Sequence, residues 1–371
     1  MKVMTIVGTR PELIRLSRII PLFDQIFEHV LVHTGQNYDF ELNEIFFRDL
    51  ELRKPDHFLN AAGSTSAETI AQIIERSDKI FDLVEPDAIL ILGDTNSGLC
   101  VIPAKRRHIP IFHMEAGNRC FDFRVPEEIN RRVIDHLSDV NLPYTENARR
   151  NLLAEGLPSE QTFVTGSPQY EVIQHFLPQI NKSEVLSRLE LESKNYFVAS
   201  FHREENVDSP NRMELLISSL NAIAEKYDKK IILTVHPRTR ARLDSSNTSL
   251  DSRINDIKPL GFFDYAYLQQ YSICTLSDSG TITEESAMLN FPAITLRDTH
   301  ERQEGTDVGT LVMSGVDPDS VLSAINLAIE SHKQMGFTPL PVEYGADSVS
   351  WTVAKIVQGY VPFVRRKTWG I

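Results

Sequence analysis

Val3-Met4-Thr5-Ile6-Val7-Gly8-Thr9-Arg10-Pro11-Glu12 opens the chain with an apolar, β-branched run that stops at a glycine. A Thr, an Arg and a Pro follow, and then a helical pattern begins. This order predicts a buried first strand, a tight turn and a helix. Thr9 is placed as N-cap and Pro11 in the first turn, where its missing N–H is not needed. Such a turn aims backbone N–H groups and the positive end of a helix at one point, which suits an anion. Arg10 adds a fixed charge, so a nucleotide phosphate is the first expectation.

Outward from that turn the alternation repeats. Strand-like runs at residues 3–7, 29–34, 88–92, 109–114, 140–143 and 162–165 are separated by helical patterns, among them 66–83, 95–107 and 127–137. This is a βα repeat with a parallel, buried sheet. The pattern then restarts, with strands at 196–201, 230–235, 273–276 and 293–296 and helices at 213–226, 281–289 and 320–332. The fold class is α/β, in two doubly wound, Rossmann-like halves. Their boundary is expected near Gly166-Ser167, ahead of a helix at 170–176. The interface between two such halves is the default ligand cleft.

Composition narrows the function. A length of 371 residues suits about two domains. A formal charge of −13 argues against a general nucleic-acid binder but not against a small anionic ligand. Cys100, Cys120 and Cys274 are scattered and lack paired spacing, as expected of thiols in a reducing compartment. The first residues read as a core strand rather than a signal peptide, and no apolar run approaches the roughly 20 residues that span a bilayer. A cytoplasmic protein with no membrane partner is expected. There is no HExxH or CxxC spacing, no GxGxxG, no Walker lysine and no GxSxG, so neither a metal nor a nicotinamide or other cofactor is expected.

Ligands of open α/β sheets bind beyond the carboxyl ends of the strands. Arg10 follows the first strand, Gly93-Asp94-Thr95-Asn96 the strand at 88–92, and Glu115-Ala116-Gly117-Asn118-Arg119 the strand at 109–114. Asp94 has two readings, a helix N-cap and a site carboxylate. Glu115 needs a partner, for which Arg119 is a candidate. Glu127 and Glu128 open a helix with Arg131, where they suit the helix dipole or turn into the cleft. Carboxylates gathered there suit general acid/base work. In the second half His202-Arg203 follows one strand, and Asp278-Ser279-Gly280-Thr281 follows another and opens the helix holding Glu284 and Glu285. Ser-Gly at a helix start is a small phosphate cradle. Arg297, Asp298, His300, Glu301, Arg302 and Glu304 cluster after a further strand.

Gly8-Thr9-Arg10-Pro11-Glu12, Gly93-Asp94-Thr95, Glu115-Ala116-Gly117, Pro126-Glu127-Glu128-Ile129-Asn130-Arg131, Asp278-Ser279-Gly280 and Glu284-Glu285 occur in register along the chain. Together they resemble the non-hydrolysing UDP-N-acetylglucosamine 2-epimerase family. The resemblance covers essentially the whole chain. It implies a GT-B-like pair of domains, residues 1–167 with 348–371 and residues 168–347, with a final helix at 348–360 crossing back to the first half. It also implies a homodimer. His33-Thr34-Gly35-Gln36-Asn37-Tyr38-Asp39, Met114-Glu115-Ala116-Gly117-Asn118-Arg119-Cys120-Phe121-Asp122 and Thr368-Trp369-Gly370 look like the branch that makes UDP-N-acetyl-L-fucosamine for capsule and O-antigen. That branch inverts C2 of UDP-2-acetamido-2,6-dideoxy-L-talose.

The family chemistry is elimination of UDP across C1–C2 to a glycal, then re-addition with protonation on the opposite face. Carried over by position, Asp94, Glu115 and Glu127 are the acid/base and cation-stabilising carboxylates. Arg10 and His202 hold the diphosphate or assist its departure. Ser279, Gly280 and Thr281 meet phosphate, Glu285 the ribose hydroxyls, and Arg302 the substrate. Arg15, Glu128 and Arg131 complete the expected substrate-binding set. Uracil is expected near residues 260–267. Arg15 stands where many relatives have Lys, Thr281 replaces a second Gly, and Gln303 replaces a Pro. Residues 36–41 lack the His-Arg-Glu-Met pattern of relatives that UDP-GlcNAc activates allosterically.

Overall fold

The computed structural model describes residues 1–36, 47–244 and 248–371, excluding the side chains of Pro237 and Arg238. The expectation drawn from residues 37–41 lies outside the described residues. The chain forms two compact units, Met1–Val172 with Val342–Ile371, and Ile173–Pro341.

In the first unit, strands β1 (Lys2–Val7), β2 (Glu28–His33), β3 (His57–Phe58), β4 (Ala88–Leu92), β5 (Ile111–Met114) and β6 (Val140–Leu142) form one sheet in the order β3-β2-β1-β4-β5-β6. All pairs are parallel, with Val7 beside His33 and Val3 beside Ala88. Helices cover both faces, so β4 and β5 are buried at every position. On one face Met4, Ile6, Ile89, Ile91 and Ile111 pack with Ile73, Ile80 and Phe81 of helix Ser66–Val84. That helix starts cleanly because Thr65 Oγ1 accepts from Glu68 N–H, while Glu68 accepts from Ser64 N–H at 2.8 Å.

Helix Val349–Val364 belongs to this unit and packs on helix Ile19–Ile26. Val353, Val357, Val361 and Val364 recur every three or four residues and are buried. Arg365 then pairs with Asp87 at 2.7 Å, and Asp87 accepts from the backbone N–H of Lys2 at 2.8 Å. The last helix is thereby tied to the start of the first strand.

The second unit repeats the plan. Strands β7 (Tyr196–Ser200), β8 (Lys230–Thr234), β9 (Ile254–Ile257), β10 (Thr275–Ser277), β11 (Ala293–Thr295) and β12 (Val312–Met313) lie in the order β12-β11-β10-β7-β8-β9. Phe197, Ala199, Leu276 and Ile294 pack against Leu216 and Leu220 of helix Pro210–Tyr227 and against Val321 and Ile325 of helix Pro318–Met335. In each sheet the chain order reverses beside the first strand, between β1 and β4 and between β7 and β10. Those reversals are the switch points where such sheets bind ligands.

Two expectations change. Residues 162–165 are not a strand; Thr162 makes a single bridge to Asn141, and Phe163 and Thr165 hydrogen-bond the edge of β6. The helix expected at 95–107 divides into the 3-10 turn Asn96–Cys100 and helix Val101–Arg106, because Pro103 has no N–H for the preceding turn. The edge strands β3, β9 and β12 carry no strong apolar run and were not read. No described helix is long and apolar enough to cross a membrane.

Val357→Ala is expected to destabilise the first unit by about 1–3 kcal/mol in urea unfolding, from lost burial and the cavity left behind. Leu327→Ala, at a position 58% exposed, should shift stability by less than about 0.5 kcal/mol.

Candidate functional site

The first switch point is built by the loops after β1, β4 and β5. Gly8 lies so close to β2 and β4 that a Cβ there would overlap the hydroxyls of Thr34 and Ser97. Those hydroxyls bond each other at 2.7 Å. Thr9 takes the N-cap position of helix Arg10–Leu16 with extended φ and ψ, as its place in sequence predicts. Two of the turn's N–H groups already have an acceptor, however. Glu12, buried on the same helix, accepts from Gly8 N–H and from Thr9 N–H at 3.1 Å. Its other oxygen accepts from the Thr95 hydroxyl at 2.6 Å. At Gly8 and Thr9 the anion is therefore the chain's own carboxylate.

Asp94 is not an N-cap; Thr95 occupies that position before Asn96–Cys100. Asp94 Oδ2 instead accepts from Arg131 Nε at 2.8 Å, and its backbone carbonyl accepts from Asn130 Nδ2 at 2.9 Å. Helix Pro126–Leu137 is thereby fixed to the β4 loop. Glu115 ends β5 in the left-handed region at φ 66°, unusual for a residue with a Cβ. Its carboxylate pairs with Arg15 and accepts from Asn118 Nδ2 at 3.4 Å. Arg119 is not its partner. After Glu115 and Gly117, both with positive φ, the chain turns inward. Arg119 is fully buried, forking onto Glu155 at 2.8 and 2.7 Å and reaching Asp135 at 2.7 Å.

Glu128 is buried and accepts from Cys120 N–H at 3.0 Å, Arg131 at 3.1 Å and Arg132 at 3.1 Å. Its carboxylate therefore holds Arg131, which in turn holds Asp94. Glu127 is half-buried in the same first turn. Beneath the loops, His113 Nε2 donates to the Gly93 carbonyl at 2.9 Å, while its Nδ1 lies 2.8 Å from Asp135. Asp135 also accepts from Gly117 N–H at 3.1 Å. One buried aspartate thus steadies the loops that carry Asp94 and Glu115.

The second switch point uses the same device. Asp278, wholly buried after β10, accepts from His202 N–H and Arg203 N–H at 3.0–3.1 Å and from Asn206 Nδ2 at 3.0 Å. The His202 ring is about half exposed beside it. Ser279, Gly280 and Thr281 lead into helix Ile282–Leu289, with the Ser279 and Thr281 hydroxyls 3.0 Å apart. A cavity there is lined by Ser279, Gly280, Arg297, His300 and Arg302. Arg302 and Glu284 are both buried and pair at 3.0 Å. Arg297 binds Glu301 at 2.8 Å, and Glu301 sits against Gly280 so closely that a Cβ there would collide with it. Burial lowers the His300 pKa, favouring the neutral ring. Glu285 is half-buried and accepts from Gln269 at 3.0 Å.

Residues 23–358 match the family model described as UDP-N-acetylglucosamine 2-epimerase. The chain belongs to this family. It is therefore an isomerase, and the shared architecture is the GT-B-like one. The UDP-N-acetylglucosamine 2-epimerase structure from Rickettsia bellii superposes with a TM-score of 0.92 at 48% identity, covering 100% of this chain and 99% of that one. The Methanocaldococcus jannaschii enzyme, solved with UDP-GlcNAc and UDP, gives a TM-score of 0.90 at 32% identity over 97% and 100% of the two chains. A Pseudomonas aeruginosa relative, UDP-2,3-diacetamido-2,3-dideoxy-D-glucuronate 2-epimerase, is 32% identical over 89% of this chain and 92% of its own.

The sequence reading did not single out His113, Asp135 and Glu155, which act through other residues. Glu12 could have been found, because Thr9-Arg10-Pro11-Glu12 is the S/T-x-x-E capping signature.

The Arg119 guanidinium holds the Glu155 carboxyl down at about 2, against an ordinary 4.5. The stabilisation is present above pH 4.5 and lost as pH falls toward 2. Glu155→Gln should therefore cost about 1–3 kcal/mol at pH 7, less than a fully buried pair because Glu155 is partly solvated. The gap to wild type in denaturant unfolding should close as the pH is lowered below 4.5.

Proposed function

We propose that this epimerase-family member inverts C2 of UDP-2-acetamido-2,6-dideoxy-L-talose, giving UDP-N-acetyl-L-fucosamine for capsule or O-antigen synthesis. The observation that carries the reaction type is the division of chemistry between the two switch points. The first collects carboxylates with fixed arginine partners, and the second collects Arg297, Arg302 and a Ser-Gly helix start. The motifs around Met114–Asp122 and Thr368-Trp369-Gly370 support the L-sugar.

In this reading the second unit holds UDP. Ser279, Gly280 and Thr281 meet phosphate, Glu285 the ribose, and Arg302 the substrate. Arg10 and His202 hold the diphosphate as it departs. The C1–O bond breaks toward UDP, and a carboxylate among Asp94, Glu115 and Glu127 takes the C2 proton, leaving a glycal. UDP then re-adds to C1 while a second acid protonates the other face of C2. Two faces need more than one acid/base group, and a leaving diphosphate needs preorganised positive charge. Glu128 and Arg15 act by holding Arg131 and Glu115. The family resemblance adds a homodimer, which light scattering checks.

A second reading is UDP-GlcNAc/UDP-ManNAc epimerisation, favoured by the M. jannaschii enzyme's complex with UDP-GlcNAc. Each sugar nucleotide is to be incubated with the protein in D2O and C2 followed by NMR. Inversion of the L-talo compound with one solvent deuterium at C2 is expected. Turnover of the D-gluco pair alone would replace the substrate, and sugar transfer without deuterium would indicate a GT-B glycosyltransferase instead. Asp94→Asn and Glu127→Gln should lower kcat by about 10²–10⁴-fold while UDP still binds by calorimetry. A variant with near-full rate would remove that residue from the acid/base set.

A further inference from the structure

Among the described residues of the first switch point, Glu12 is a carboxylate to which the proposed chemistry gives no task. It lies 4% exposed between two loops that each carry a site residue. One oxygen takes the N–H groups of Gly8 and Thr9, immediately before Arg10. The other takes the hydroxyl of Thr95, immediately after Asp94. All three partners donate, so the arrangement is built for an ionised acceptor, and a neutral acid would hold them less strongly.

We propose that Glu12 is a positioning residue of the C2 reaction: its carboxylate clamps the Arg10 turn to the Asp94 loop, and the clamp loosens when the carboxyl takes up a proton. This rests on the reading of Arg10 and Asp94 given above.

The clamp lies in an expensive place. Burial raises the Glu12 pKa from its ordinary 4.5 to about 7, against the pull of its three donors. Asp94 and Cys100 are the titratable groups on neighbouring elements that feel its charge, and Arg10 and Arg15 lie on its own helix. A raised folded-state pKa means that the group favours folding fully below 4.5, and that this contribution is lost as pH rises through about 7. Ionised Glu12 therefore lowers stability in the range where its clamp is strongest, as expected of a group kept for function rather than for the fold.

Glu12→Gln reproduces the neutral acid in shape. Its amide oxygen can accept the two backbone N–H groups, and its amide nitrogen can donate to Thr95. At pH 8.5 its kcat should lie about tenfold below wild type, while its melting temperature equals or exceeds wild type. Near pH 6 the two rates should converge to within about twofold, because wild-type Glu12 is then largely neutral. A rate ratio that stays constant across pH, or a loss of kcat that follows a loss of melting temperature, would overturn the proposal. Thr95→Val removes only the link between loops and should lower kcat with UDP binding unchanged; a wild-type kcat in that variant would also overturn it. The backbone amide resonances of Gly8 and Thr9 should titrate near pH 7 in wild type and stand still in Glu12→Gln. This readout uses no substrate. Absence of that titration counts against Glu12 alone, whereas absence of C2 exchange in the wild type counts against the assigned reaction.

Discussion

Where a parallel strand hands the chain to its helix, consecutive backbone N–H groups converge, and in both units of this protein a buried carboxylate takes them. Glu12 takes those of Gly8 and Thr9, and Asp278 takes those of His202 and Arg203. Buried donors left unmatched would be costly. Many α/β proteins match them with a ligand's phosphate; here the chain supplies the anion itself. At these two turns positive charge for a phosphorylated substrate comes from side chains, beside the Ser279-Gly280 helix start of the second unit. Arg10, Arg15 and Arg131 stand at the first switch point, and Arg203, Arg297 and Arg302 at the second. A chain with net charge −13 can hold such a ligand because these cations are gathered locally.

Most of those arginines are themselves tethered. Asp94, Arg131, Glu128, Arg132, Glu155, Arg119 and Asp135 form a continuous series of ion pairs along helix Pro126–Leu137. Desolvating so many charges returns little net stability. What it supplies is orientation, since each guanidinium holds its carboxylate in one geometry. Glu115 fits the same pattern, held by Arg15 in a strained left-handed conformation at the end of β5. Groups that must meet a substrate in fixed positions gain from such rigidity.

How much of this the sequence revealed follows from which interactions are local. β1, β4, β5, β7 and β10 are buried on both faces and read as apolar runs, so the βα alternation and its restart were visible. The edge strands were not, because two paired residues such as His57-Phe58 leave no periodic trace. The positions of the proposed site residues at strand ends were legible, since the end of an apolar run marks the ligand-facing edge of such a sheet. Their partners were not. Arg119 is four residues from Glu115 and seemed its natural counterion, yet two left-handed residues send it to Asp135 and Glu155. Nothing in residue spacing records that turn. Glu12 is the instructive exception, because its bond to the turn is local and its capping signature was present, while its bond to Thr95 is not.

The two clamps differ in a way that bears on what each unit does. Asp278 sits in the β10 loop and grips the β7 loop directly, through two backbone N–H groups and the Asn206 amide. The two loops share one rigid acceptor. Glu12 belongs to the helix after β1 and reaches the β4 loop through a single hydroxyl, that of Thr95. Its charge is opposed by burial and by Asp94. In the proposed reaction the shared acceptor of the second unit makes a preformed seat for a nucleotide whose diphosphate leaves the sugar and returns. From Glu12 the Arg10 turn reaches Thr95 through one bond, and under the proposal above its strength follows a proton, beside carboxylates that exchange protons with the two faces of one carbon.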